Sequence, residues 1–117
     1  MGFNNANPFS LMNIAITLKR SQLDASIEAL QQQNIQKPDL IAEKCMYFIY
    51  TNALKKLLKK QIDKSDEYSS KPLRMVLKYE EATALLMELD RVKFTNNRYT
   101  ENAVRTLKAV LHQKLSA

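Results

Sequence analysis

Two short stretches of this chain alternate apolar and polar side chains, and each places cationic hydrogen-bond donors on its polar side. In the first, Ile14, Ile16 and Leu18 share one face, and Ala15, Thr17 and Lys19 share the other. In the second, Leu73, Met75 and Leu77 face away from Arg74, Val76 and Lys78. Strict period two is the pattern of a half-buried β-strand. Laid side by side in antiparallel, the two strands would present Thr17, Lys19, Arg74 and Lys78 on one face without a carboxylate. Arg and Lys attract phosphate and can donate to guanine O6 and N7, while a Thr hydroxyl both donates and accepts. The chemistry indicated is recognition of a polyanion, with no bond made or broken.

The other reactive residue types lack the company that catalysis needs. Cys45 is the single cysteine, so no intramolecular disulfide can form. Its place in a helical pattern beside Met46 and Phe48, with no His nearby, reads as a buried structural thiol. His112 is the only histidine and stands more than sixty residues from that cysteine, so no zinc-ligand spacing exists and no metal is predicted. Glu80 and Glu81 sit where a helix should begin, which favours the helix dipole over acid–base work. A phosphate loop needs glycines, and Gly2 is the only one. Tyr47, Tyr50, Tyr68, Tyr79 and Tyr99 could stack on single-stranded bases, although packing explains Tyr50 more simply. The run LKKLLKKQIDK from Leu54 sets Lys55 against Lys59 and Lys56 against Lys60, at roughly 0.2–0.5 kcal/mol of repulsion per pair, and reads as a solvated helix face. No catalytic residue, cofactor or small-molecule substrate is predicted.

Composition sets the frame for these residues. The chain has 117 residues, enough for one domain with one core, and carries 18 Lys and Arg against 12 Asp and Glu for a net charge of +6. The excess is shared: residues 1–65 hold nine basic and five acidic groups, and residues 66–117 hold nine and seven. Such a balance favours anionic partners. One Gly and three Pro are too few turn residues for a many-stranded sandwich or barrel. Nothing resembles a signal peptide or the eighteen or so apolar residues of a membrane span, so a cytoplasmic protein that does not enter membranes is expected.

The elements that must position the donors follow from periodicity. Residues 1–12 show no apolar period and read as a disordered lead-in. After the first strand, Ser21 reads as the cap of a helix carrying Leu23, Ile27 and Leu30. Pro38 suits the first turn of a second helix running to about Ile62, with Met46, Ile49, Tyr50, Ala53, Leu54, Leu57, Leu58 and Ile62 as its apolar stripe. Asp63–Lys71 is the expected linker. After the second strand comes a helix with Ala82, Leu85, Leu86 and Leu89. Thr100 then reads as the cap of a last helix bearing Val104, Leu107, Val110, Leu111 and Leu115. Leu73, Leu77, Glu80 and Ala84 also satisfy helical spacing, so a continuous helix from Leu73 to Val92, and with it an all-α bundle, is the alternative.

The expected fold is mainly α with a minor β component. A single domain over 13–117 would consist of two strand-helix-helix units, 13–64 and 72–117, joined by a short two-stranded antiparallel ribbon. A shift of 59 residues lays Ile14, Ile16, Leu18 and Lys19 on Leu73, Met75, Leu77 and Lys78. A shift of 61 lays Met46, Ile49, Tyr50 and Leu54 on Leu107, Val110, Leu111 and Leu115.

The segments NIAITLKRSQLDASIEAL with PDLIAEKCMYFIY, and PLRMVLKYEEATALLMEL with TENAVRTLKAVL, resemble the ribbon-helix-helix DNA-binding unit, duplicated in one chain. The resemblance implies that paired strands enter the major groove of duplex DNA and that outward strand residues read base edges. It also implies a phosphate held at the start of each second helix, near Lys37 and Asp39 in one half and Arg98 and Thr100 in the other. The first half departs from that pattern, because NIQKPD has no Gly and no Ser or Thr cap, and Asp39 would repel phosphate. The function expected is a non-enzymatic nucleic-acid-associated or regulatory binding protein. The alternative is a helical module for binding a protein partner or for self-association.

Overall fold

A computed structural model describes residues 13–33, 37–63, 72–92 and 97–116. The order of elements is β1 (Asn13–Leu18), α1 (Arg20–Gln31), α2 (Ile41–Asp63), β2 (Leu73–Lys78), α3 (Tyr79–Leu89) and α4 (Arg98–Leu115). The expected mainly helical fold with a two-stranded antiparallel ribbon is therefore observed, and residues 73–78 do not continue α3 as a helix. The lead-in at 1–12 and most of the expected linker, from 64 to 71, lie outside the described residues.

Burial decides the strand conformation of β1 and β2. The two strands pair antiparallel, with Ile14 opposite Leu77, Ile16 opposite Met75 and Leu18 opposite Leu73. Ile16 and Leu77 are fully buried, and Ile14, Leu18 and Met75 nearly so. A helix over 73–78 would turn half of these side chains away from the core. The strand conformation aligns them all, since successive residues of a strand point to opposite faces.

The helices cover the inner face of this ribbon by crossing between halves. α1 packs chiefly against α4, and α2 against α3, while α3 and α4 also touch. The core is one contiguous cluster that includes Leu23, Ile27 and Leu30 of α1, Tyr50, Ala53 and Leu57 of α2, Leu85 and Leu89 of α3, and Val104, Leu107 and Leu111 of α4. Each helix contributes residues three, four or seven apart, the spacing that gives a helix one apolar stripe.

The helix starts differ from expectation in three places. α1 begins two residues earlier than a Ser21 cap implies: Lys19 is the N-cap, and its backbone N–H donates to Gln22 Oε1 at 3.0 Å. The amide side chain closes the first turn, so Ser21 lies within the helix. α2 begins at Ile41, so Pro38 precedes it instead of opening it. α4 is capped by Asn97, whose Oδ1 accepts the Thr100 N–H at 3.2 Å. Asn97 offers an acceptor at the right reach, which leaves Thr100 in the first turn as the donor.

Two burial expectations for α2 also change. Cys45 is exposed, not a buried thiol. The buried positions of α2 begin only at Tyr50, and Ile41, Met46 and Phe48 ahead of it are exposed as well. Ile62 is 69% exposed at the other end, so the buried part of the stripe spans only the middle of the helix.

Candidate nucleic-acid interface

The outer face of the ribbon is set by the same register that buries its inner face. Asn13 lies opposite Lys78, Ala15 opposite Val76 and Thr17 opposite Arg74. Asn13, Thr17, Arg74, Val76 and Lys78 are exposed, Ala15 is half-buried, and Lys19 is exposed just beyond the end of β1. The four strand residues singled out from sequence, Thr17, Lys19, Arg74 and Lys78, are thus brought to one surface. Asn13 belongs with them and was not singled out, although its place in the same period-two phase marks it. Among the described residues, no side-chain hydrogen bond or ion pair engages Lys19, Arg74 or Lys78.

The strand ends are held by a matched device. Lys19 and Lys78 each stand between a strand and the helix that follows, with extended backbone, and each gives its N–H to the side chain three residues on. Gln22 Oε1 accepts in one case, at 3.0 Å, and Glu81 Oε1 in the other, at 2.8 Å. Glu81 is 5% exposed and also accepts from Lys56 Nζ at 2.5 Å, so its buried charge is compensated. The backbone carrying each terminal lysine is fixed by these contacts, while the ammonium group remains in solvent. At about 3.4 Å per residue, Lys19 and Lys78 lie about 20 Å apart along the ribbon, a reach compatible with backbone phosphates flanking a groove.

The helix-start residues each have surroundings of their own. Lys37 precedes α2 by several residues and sets its ammonium over the Phe48 ring, 5.2 Å from the centroid. Arg98 is exposed at the first position of α4. The backbone N–H of Thr100 is already taken by Asn97 Oδ1, so a phosphate there would compete with the cap. Asp39 is exposed ahead of α2, near the place where phosphate would have to sit.

No protein-family model matches this chain, and no curated protein or solved structure is significantly similar to it.

Other concave and reactive features are less well equipped. A groove of about 540 Å³ between α2 and α3 is lined by Met46, Tyr47, Tyr50 and Met87 among others, with Glu88 and Arg91 also on its wall. The two charges pair with one another, Arg91 Nη1 to Glu88 Oε1 at 3.4 Å. Burial, with Glu88 nearby, pushes the Tyr50 hydroxyl up to about 12, so it stays protonated at neutral pH. Among the described residues, no group of three or more His, Cys, Asp or Glu could hold a metal ion, and no helix is long and apolar enough to cross a membrane.

Proposed function

We propose that this chain is a non-enzymatic duplex-DNA-binding protein of regulatory type that presents its two-stranded ribbon to the major groove. The observation that carries the reading is the outer face of that ribbon. Lys19, Arg74 and Lys78 stand exposed there with Asn13 and Thr17, and among the described strand residues no carboxylate shares the face. A two-stranded ribbon fits the major groove, which is about 12 Å wide. The net charge of +6 supplies long-range attraction to the phosphate backbone. The likeness to a duplicated ribbon-helix-helix unit agrees with this reading, because each strand leads into two helices and the helices pack across the halves.

The test compares two pairs of substitutions that remove equal charge. Lys19→Ala with Arg74→Ala should leave folding intact while duplex affinity falls, and the slope of log affinity against log salt should become shallower by roughly two. Lys55→Ala with Lys59→Ala, on exposed positions of α2, should change affinity much less. Wild-type protein with no salt-sensitive affinity for duplex DNA would overturn the reading. Equal losses from both pairs would reduce it to general basicity.

A second reading is favoured by a different observation. Leu40, Ile41, Met46, Phe48 and Met87 are exposed large apolar side chains on or near α2 and α3. Met46 and Met87 line one groove between α2 and α3, and apolar surface that is contiguous marks protein contact sites. A helical protein-interaction module would use that side of the molecule and leave the ribbon idle, and its association would depend little on salt.

A further inference from the structure

We infer that the ribbon reads a non-palindromic duplex site, with a guanine on one side of the site's centre and thymines on the other. The inference rests on the proposed DNA-binding reading and adds what kind of sequence the face would accept. Two identical strands would read a site with two-fold symmetry, because operator symmetry mirrors protein symmetry. The strands here come from one chain and are free to differ.

The register locates the axis that relates them. The 59-residue shift equates Ile14 with Leu73, Ile16 with Met75 and Leu18 with Leu77. Ile16 is also the cross-strand partner of Met75, so a local two-fold axis between the strands passes through that pair. Under this axis Lys19 corresponds to Lys78, Ala15 to Arg74 and Thr17 to Val76. The ends of the ribbon are therefore alike and cationic, and its centre is not.

On one side of the axis, Thr17 lies directly beside Arg74; on the other, Ala15 lies beside Val76. Arg donates two hydrogen bonds to guanine O6 and N7, and Thr offers a hydroxyl to a neighbouring base edge. Ala and Val offer only methyl groups, which suit the thymine C5-methyl and leave the polar edge of a G·C pair without partners. Val76 is 40% exposed, a large apolar side chain beside Ala15 on a face that is otherwise polar. Contact with a thymine methyl gives it a partner there. Lys19 and Lys78, matched across the axis, hold backbone phosphates on both sides alike.

Selection of duplexes from a randomised library by the wild-type chain should return a consensus with no two-fold symmetry. Placing the Arg74 half of that consensus on both sides, or the Val76 half on both sides, should weaken binding by roughly five- to 150-fold, the worth of one lost base contact. Ala15→Arg with Thr17→Val gives both strands the same outward residues, and this variant should select a palindrome with guanine in both halves. Should that variant fail to fold, Arg74→Ala alone tests the same point by losing preference at one base position while keeping the thymine side. A palindromic consensus for the wild type would overturn the inference, and so would a consensus unmoved by either variant. Salt-sensitive binding with no sequence preference would overturn it while leaving DNA binding intact, and absence of any duplex binding would overturn both.

Discussion

Tyr50 shows what one buried polar atom does to this core. Its ring is needed, since the residue is 6% exposed within the central cluster, yet its hydroxyl has no hydrogen-bond partner among the described residues. An unpartnered buried hydroxyl costs roughly 1–3 kcal/mol. Ionising it would cost more, because burial and the nearby Glu88 hold its pKa at about 12 instead of the ordinary 10 or so. A group whose folded pKa is raised keeps its proton in the native state after the unfolded chain has lost it. Stability is therefore unaffected below about pH 10 and falls as pH climbs from about 10 to 12, by roughly 3 kcal/mol in all. Tyr50→Phe removes both the orphaned hydroxyl and the titration. In urea denaturation at a series of pH values, the variant should be at least as stable as wild type at pH 8 and gain on it steadily above pH 10. Stability curves that stay parallel to pH 12 would show that Tyr50 is not desolvated as described.

At the scale of elements, the depth of each stripe sets the cost of truncating it. Leu107 is fully buried on α4, a helix that packs against both α1 and α3, and Leu107→Ala should destabilise the fold by roughly 2–5 kcal/mol. Leu54, which the α2 stripe places at equal depth, is only half-buried beside the line of Tyr50, Ala53 and Leu57. Leu54→Ala should therefore cost distinctly less than Leu107→Ala, and thermal denaturation of the two variants checks the order. Periodicity made the strands, the four helices and most of the core legible, because period two and period 3.6 each bring one set of apolar residues to one face. It misplaced Cys45 because an apolar neighbourhood in sequence does not reveal where a helix runs past its partners, and no residue of α2 is fully buried before Tyr50. The caps at Lys19 and Asn97 were missed for a related reason. Several nearby side chains could close each first turn, and backbone geometry chooses among them. At the ribbon, alternation alone was enough to place Thr17, Lys19, Arg74 and Lys78 together. The pairing of Thr17 with Arg74 required the register, which no single strand contains.

The molecule as a whole closes its ribbon within one chain. Paired residues such as Asn13 and Lys78 are distant in sequence, and the helices that seal the inner face cross from one half to the other. Two separate copies of a strand-helix-helix unit would need to meet to build such a core, and their stability would rise with concentration by mass action. Here both strands and all four helices of the core arrive together, so the unfolding midpoint should be the same across a hundredfold range of protein concentration. The exposed apolar side chains at Ile41, Phe48 and Met87 supply the competing expectation, since a face of that kind that self-associates would raise the midpoint with concentration. Phe48→Glu separates the two. On a chain that folds alone, it should leave the midpoint and its concentration independence unchanged, because Phe48 is 49% exposed on α2. A wild-type midpoint that rises with concentration, and loses that dependence in Phe48→Glu, would move the working surface of this protein from the ribbon to α2.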